Sequence, residues 1–203
     1  MRSLKHWTPI YIYNRIIEKC YRKTHSGEPW LTPQAIRFLE YWIKPGDMML
    51  EFGSGRSTIW FANRVNTLVS VEHDPDWYAR VAELIKEKQI QNIIYVKKSI
   101  EGSPAEYTQV PKQFENNSLD LILIDGRLRD ICANECLSKL KPGGLMILDN
   151  ADVYLPSQVM TPNSHPSRVQ SPAWQTFMDV TGAWRQYWTC NGVSATTFFF
   201  KPC

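Results

Sequence analysis

The sequence predicts an α/β fold: a doubly wound, mostly parallel sheet of seven strands that closes with a C-terminal antiparallel hairpin. Three observations carry this. Residues 119–124 and 145–149 are almost continuously apolar, as strands must be when helices cover both faces of a parallel sheet. Such runs alternate with segments whose apolar residues recur at helical spacing, the order that builds parallel sheets. Near the C-terminus Asn191-Gly192 divides two β-rich runs, a strong two-residue hairpin signal.

In chain order, Thr8-Pro9 reads as a helix cap followed by proline at the first helical position. Ile10, Tyr13, Ile16, Ile17 and Cys20 then repeat at helical spacing and predict an amphipathic helix packed over the site below. Its aromatic and basic content also permits a helix lying on a membrane surface. Thr32-Pro33 opens a second helix with Ala35, Ile36, Leu39, Trp42 and Ile43 on one face, and Pro45-Gly46-Asp47 ends it. Residues 48–52 are the first strand, and a short helix follows from Ser57-Thr58. Residues 68–72 are the second strand. Asp74-Pro75 starts a helix with an apolar stripe of Trp77, Tyr78, Val81, Leu84 and Ile85. Residues 93–96, 119–124 and 145–149 supply strands three to five. Leu128, Ile131, Cys132 and Leu140 fit the crossover helix before the fifth, with Lys141-Pro142-Gly143-Gly144 as its stop signal. Residues 151–171 carry Pro156, Pro162 and Pro166 without periodicity, and a loop of that length is either a functional lid or disordered. Ser171-Pro172 restarts helix, with Trp174, Phe177 and Met178 inward, as far as Gly182. Residues 184–189 and 194–200 form the hairpin.

A chain of 203 residues is read as one domain, residues 1–203, with 1–45 as a helical cap and 151–171 as a loop or lid. The net charge of +3 is too mild to argue for a nucleic-acid partner. No apolar run approaches a membrane span and the N-terminus has no signal-peptide pattern. The five cysteines are scattered; Cys132 and Cys136 share a helical spacing, but no second pair completes a zinc site. Reduced thiols and a cytoplasmic location are the expectation. The eight tryptophans suit a core, a pocket or an interface, and a homo-oligomer stays open.

The chemistry concentrates at residues 48–58. The first strand ends in Glu51, a glycine loop Gly53-Ser54-Gly55 follows, and Ser57-Thr58 opens a helix. Glycines there let a ligand approach the backbone closely. A dinucleotide pyrophosphate wants bare N–H groups at such a helix start; a carboxylate two residues before the first glycine would repel it and would suit a cationic amine. About 20 residues on, the second strand ends in Glu72, placed to accept hydrogen bonds from both hydroxyls of a ribose. An amine and a ribose together point to S-adenosylmethionine (SAM).

These residues resemble motif one of the class I SAM-dependent methyltransferases, acid-x-Gly-x-Gly-x-Gly, with Ser57 where the third glycine often stands. The resemblance continues through Val71-Glu72-His73-Asp74, the residues 121–126 ending in Asp125-Gly126, and the residues 140–150 ending in Asp149-Asn150. It implies a Rossmann-like fold, with Glu51 serving the methionine amine through the glycine-loop region and Glu72 holding the ribose. Gly53, Ser54, Gly55, Ser57, His73 and Asp125 join them in the cofactor site, and Ser99 is a candidate for the adenine amine. The trio Asp125, Asp149 and Asn150 resembles the metal ligands of catechol-type O-methyltransferases, and hard oxygen donors of this kind suit Mg²⁺. There a metal lowers the pKa of a substrate hydroxyl. That family has a lysine shortly after the first acid, whereas here Arg127 and Arg129 follow. The other reading is that Asp125 orders the cofactor pocket or acts directly as a base while Asp149-Asn150 caps a loop. His165, in the proline-rich loop, can serve as a base or stay solvated.

The reading is therefore a SAM-dependent methyltransferase acting on oxygen of a small-molecule acceptor, with Asp125 and His165 as catalytic candidates. A nicotinamide oxidoreductase needs a glycine at position 58, where Thr58 stands. A non-catalytic adaptor, docking a partner or membrane through Trp7, Tyr11 and the basic N-terminal helix, is the alternative.

Overall fold

The computed structural model describes residues 7–203. Seven strands form one sheet: β1 (Met48–Phe52), β2 (Thr67–Glu72), β3 (Ile93–Lys97), β4 (Leu119–Ile124), β5 (Leu140–Asp149), β6 (Arg185–Cys190) and β7 (Ala195–Phe200), in the order β3-β2-β1-β4-β5-β7-β6. The first five are parallel and β7 runs antiparallel to both neighbours. The sheet reverses its order of growth between β1 and β4, which opens a crevice at the carboxyl ends of the strands, where ligands bind open α/β sheets.

The helices are α1 (Pro9–Thr24), α2 (Pro33–Trp42), α3 (Arg56–Ala62), α4 (Pro75–Glu87), α5 (Glu106–Gln109), α6 (Arg129–Cys136), α7 (Ala151–Tyr154) and α8 (Pro172–Thr181). Four of them start alike. Thr8, Thr32, Asp74 and Ser171 cap α1, α2, α4 and α8 by accepting from the third helical N–H, and proline follows each cap. The side chain satisfies an N–H that has no intrahelical partner, and proline costs no hydrogen bond there.

Period-two alternation sends β-strand side chains to both faces, and both are buried. Leu50, Phe52, Ile122, Ile124, Met146 and Leu148 face Tyr107, Cys132, Cys136, Trp174 and Phe177. Met49, Leu121, Leu123, Leu145 and Ile147 face Ala35, Ile36 and Leu39 of α2 with Trp60 and Phe61 of α3. That is why β4 and β5 read as unbroken apolar runs.

Several elements differ from expectation, and residues 151–154, expected within the loop, form α7. Lys141-Pro142-Gly143-Gly144 belongs to β5 rather than to a helix stop, and the pairing with β4 is irregular there, between Leu119 and Leu121. The larger difference is α1. Its expected apolar stripe faces solvent: Ile10, Tyr13, Ile16 and Ile17 are exposed, as is Cys20. The inward face carries Tyr11 and Glu18, with Asn14, Arg15, Tyr21 and Arg22 half-buried. Glu18 can be buried because Arg15 and Arg22, one turn to either side, both pair with it. Asn14 sits where a side chain at Gly192 would otherwise stand. The helix therefore packs with its polar side down, meeting the β6–β7 turn through Asn14 at Gly192, whereas its apolar stripe was expected inward.

At the crevice the β1–α3 loop and the β4–α6 loop touch. Gly53 has φ +91°, and a Cβ there would lie 2.8 Å from both Cα and N of Gly126. Gly53→Ala should cost at least ~2 kcal/mol, since strain and backbone clash add. Gly27→Ala, with nothing within 4 Å of the new methyl, should be close to neutral. Paired urea melts of the two variants check this.

Candidate active site

Four acids stand at the carboxyl ends of four neighbouring strands. Glu51, on β1, is fully buried. Its Oε2 accepts from Thr58 Oγ1 and Ser70 Oγ, both at 2.6 Å. Thr58 Oγ1 in turn accepts from the Gly55 N–H at 2.9 Å, so the acid reaches the glycine loop through one hydroxyl. Its other oxygen, Oε1, lacks a hydrogen-bond partner of good geometry, although Ser57 also helps stabilise the charged form. Burial dominates and pushes its pKa up to about 7.

Glu72, at the end of β2, is held by more donors. Oε2 accepts from Ser54 N (3.1 Å) and Ser54 Oγ (2.8 Å). Oε1 accepts from the N–H groups of His73 (2.8 Å) and Asp74 (3.0 Å). The His73 ring Nδ1 lies 2.9 Å from the same oxygen, but not in line for a hydrogen bond. Ser54 also meets Tyr95 Oη at 2.7 Å, and its carbonyl accepts from Trp77 Nε1 at 2.7 Å. Gly53, Ser54, Glu72, His73, Asp74, Trp77, Asp125, Gly126, Arg127, Arg129 and Tyr154 line a cleft of ≈ 590 Å³, a size that suits a small molecule.

Asp125 and Asp149 differ from the expected metal ligands. Asp125 Oδ1 pairs with Arg129 Nη2 at 2.8 Å. The same guanidinium donates to the carbonyls of Asp125, Gly126 and Asp149, clamping the ends of β4 and β5 together. Asp149 is buried and accepts from Thr196 Oγ1 at 2.7 Å. Asn150 adopts the left-handed conformation, φ +51°, as it starts α7, so it serves the turn. Among the described residues no group of three or more His, Cys, Asp or Glu is placed to hold a metal ion. The donor set argues the same way: a fixed guanidinium already neutralises Asp125 and would repel a divalent cation at that point. The expected metal trio of Asp125, Asp149 and Asn150 thus finds no support here: the two acids sit beside the Arg129 clamp and Asn150 serves a turn.

The pair is electrostatically linked. Burial raises both pKa values; Arg129 lowers that of Asp125, while Asp125 raises that of Asp149. The Asp125 side chain keeps 27% exposure at the cleft wall, so we place the ionised carboxylate on Asp125 and the proton on the more deeply buried Asp149.

Two expected residues stand outside this cluster. Ser99 is exposed, its hydroxyl accepting from Glu101 N. His165 is exposed in the 155–171 loop, its ring 3.3 Å from Ser167 N; neither lines the cleft. Ser57 is buried at the start of α3 and turned to Glu51 rather than to the cleft. Trp77, expected in the inward stripe of α4, is instead 41% exposed at the cleft wall. The sequence marks Arg129 only as a departure from the lysine of the metal-dependent family, its charge four residues after Asp125 signalling a pair, and gives no mark to Tyr154.

A family profile described as a methyltransferase domain matches residues 50–151, just over half of the chain. The chain belongs to this family, and with it to the class I SAM-dependent methyltransferases. No curated protein matches it by sequence. Solved structures share the fold. A methyltransferase-like protein from Silicibacter pomeroyi is 19% identical, with a TM-score of 0.57 over 87% of this chain and 89% of that one. A SAM-dependent methyltransferase from Aquifex aeolicus is 11% identical, with a TM-score of 0.55 over 93% and 96%. An rRNA methylase from Streptococcus thermophilus is 8% identical, with a TM-score of 0.56 over 84% and 95%.

Glu51 makes a testable contribution to stability. Its pKa rises from an ordinary 4.5 to about 7 on folding, so the folded state holds the proton more tightly. Stability should be full below pH 4.5 and should fall as pH rises through 7, by about 3 kcal/mol from this group. Glu51→Gln keeps an oxygen for Thr58 and Ser70, and should flatten that slope and raise stability at alkaline pH. Melting curves across pH for both proteins measure it.

Proposed function

We propose that this methyltransferase moves the methyl group of SAM to a hydroxyl oxygen of a small molecule, with Asp125 as the base and Arg129 standing where a metal would otherwise neutralise charge. The observation that carries this reading is Asp125 itself: an ionised carboxylate, open to the cleft, fixed by Arg129 at 2.8 Å, with a protonated acid behind it.

The residues present suit SAM. Gly53 lets the β1–α3 loop pack directly on the Gly126 backbone at the cleft wall, and Glu51 keeps a buried oxygen without a good partner. Glu51, through Thr58 and the loop of Gly53, Ser54 and Gly55, would favour the cationic amine; Ser57 supports Glu51. Glu72 would accept from the ribose hydroxyls, exchanging its contact with the Ser54 hydroxyl for theirs, while the backbone N–H groups of Ser54, His73 and Asp74 keep it aimed. His73, Trp77 and Gly126 would wall the nucleoside. When bound, SAM supplies a methyl group on a sulfonium, an electrophile that needs no further activation.

The chain's own part is orientation, water exclusion and one proton. A hydroxyl held near Asp125 gives its proton to that carboxylate as its oxygen becomes the nucleophile. Arg129 keeps Asp125 ionised at rest and limits its motion, and a rigid base is worth more than a mobile one. With four acids against three arginines the cleft offers no net positive charge to a polyanionic acceptor, which supports a small molecule over RNA even though the fold also serves an rRNA methylase.

The test is methyl transfer to a panel of hydroxyl acceptors by the purified protein. Asp125→Asn should lower kcat by ~10²–10⁴ and change affinity for S-adenosylhomocysteine far less, whereas Glu72→Ala should abolish that affinity. EDTA should leave the rate unchanged. Transfer only to amines or to RNA would contradict the oxygen assignment, and a rate lost to EDTA and restored by Mg²⁺ would contradict the role given to Arg129.

A further inference from the structure

The outer face of α1 is unusual for a helix packed on a folded core. Trp7, just before the helix, and Ile10, Ile12, Tyr13, Ile16 and Ile17 on it are 42–66% exposed and form an apolar surface about three turns long. A surface helix ordinarily turns such a stripe inward; here the polar face is inward. The helix cannot simply roll over to hide its stripe. Tyr11 and Glu18 are buried, the Arg15–Glu18–Arg22 pairing sits beneath the helix, and Asn14 fills the space above Gly192. The stripe is exposed by construction, and contiguous apolar surface of this kind marks an interaction site.

Its charges indicate what covers it. The one acid of α1, Glu18, is buried and neutralised. Arg15 and Arg22 are spent on it. The charged groups left on the outer side are Lys19 and Lys23, both exposed and both on one flank of the stripe. Isoleucines and aromatics edged by lysines, with no carboxylate among them, match a layer of anionic headgroups over acyl chains. A protein partner would be expected to meet at least one acceptor for its own donors; a lipid surface asks only for apolar area and diffuse positive charge. No helix among the described residues is long and apolar enough to cross a membrane, so contact would be in the plane of the interface.

We infer that α1 docks the protein onto an anionic lipid surface, with its outer stripe in the headgroup region and its inner, polar face held on the protein. This goes beyond methyl transfer and stands or falls separately from it.

The experiment is vesicle flotation of the full chain with phosphatidylcholine alone and with phosphatidylcholine mixed with phosphatidylglycerol. The wild type should float with the anionic vesicles, weakly with the neutral ones, and less as salt rises. Tyr13→Ser with Ile16→Ser should reduce bound protein at least ~10-fold, and Lys19→Gln or Lys23→Gln about five-fold each. These side chains are exposed, so unchanged melting temperatures are expected and make the comparison fair. No flotation with anionic vesicles, or equal flotation of all variants, would overturn the inference. So would a dimer in sedimentation that the Tyr13/Ile16 double variant dissolves, because a second copy would then be what covers the stripe.

Discussion

Four carboxylates end four neighbouring strands, Glu72 on β2, Glu51 on β1, Asp125 just past β4 and Asp149 on β5, and the top of the sheet is organised around keeping them there. Burying an acid is costly unless it is paired, hydrogen-bonded or protonated, and this chain uses all three. Glu72 is surrounded by donors from the glycine loop and from the start of α4. Glu51 has two hydroxyls and a pKa near neutrality. Asp125 has Arg129, and Asp149 has Thr196 and a proton. Each solution fixes a piece of backbone: Thr58 ties Glu51 to Gly55, Ser54 ties Glu72 to the loop tip, and Arg129 ties β4 to β5.

The same arrangement explains the preference for a cation. The cleft walls bring Glu72, Asp74, Asp76 and Asp125 against Arg80, Arg127 and Arg129, and Glu51 lies just behind. The lining carries four carboxylates against three arginines; Arg127 and Arg129 stand on the β4 side, where Arg129 serves Asp125, and Arg80 on α4. A nicotinamide dinucleotide, with its pyrophosphate, would meet the wrong sign. The fold alone does not choose between these ligands; in the proposed reading the acid at the end of β1 does.

Much of this was legible in the sequence. Strands covered on both faces must be apolar throughout, so residues 119–124 and 145–149 declared themselves, and four cap-proline pairs marked four helix starts. Acids next to glycines at strand ends carry chemistry in their spacing, which is why Glu51 and Glu72 stood out. Other features depend on contacts that spacing does not encode. The periodicity of α1 gives two faces, and only the pairing of Glu18 with two arginines, and the fit of Asn14 against Gly192, decides that the polar one goes inward. Trp77 has the spacing of a core residue, yet its indole N–H reaches the Ser54 carbonyl and holds it at the cleft. Asp125, Asp149 and Asn150 have the order of metal ligands, but Arg129, one helical turn on, folds back onto Asp125. The short segment around Tyr107 gave no periodic signal at all, although that side chain is fully buried against Phe52.

The claim underlying the whole site is that buried acidity at the end of β1 recognises a cation. Calorimetric titration of SAM near pH 7, in two buffers with different ionisation enthalpies, tests it most directly. A cation brought to Glu51 must lower its raised pKa, so binding should release about half a proton per site, and Glu51→Gln should abolish that release while weakening binding. Tight binding with no proton exchanged, unchanged in Glu51→Gln, would contradict it and leave Glu51 as a support for the glycine loop alone.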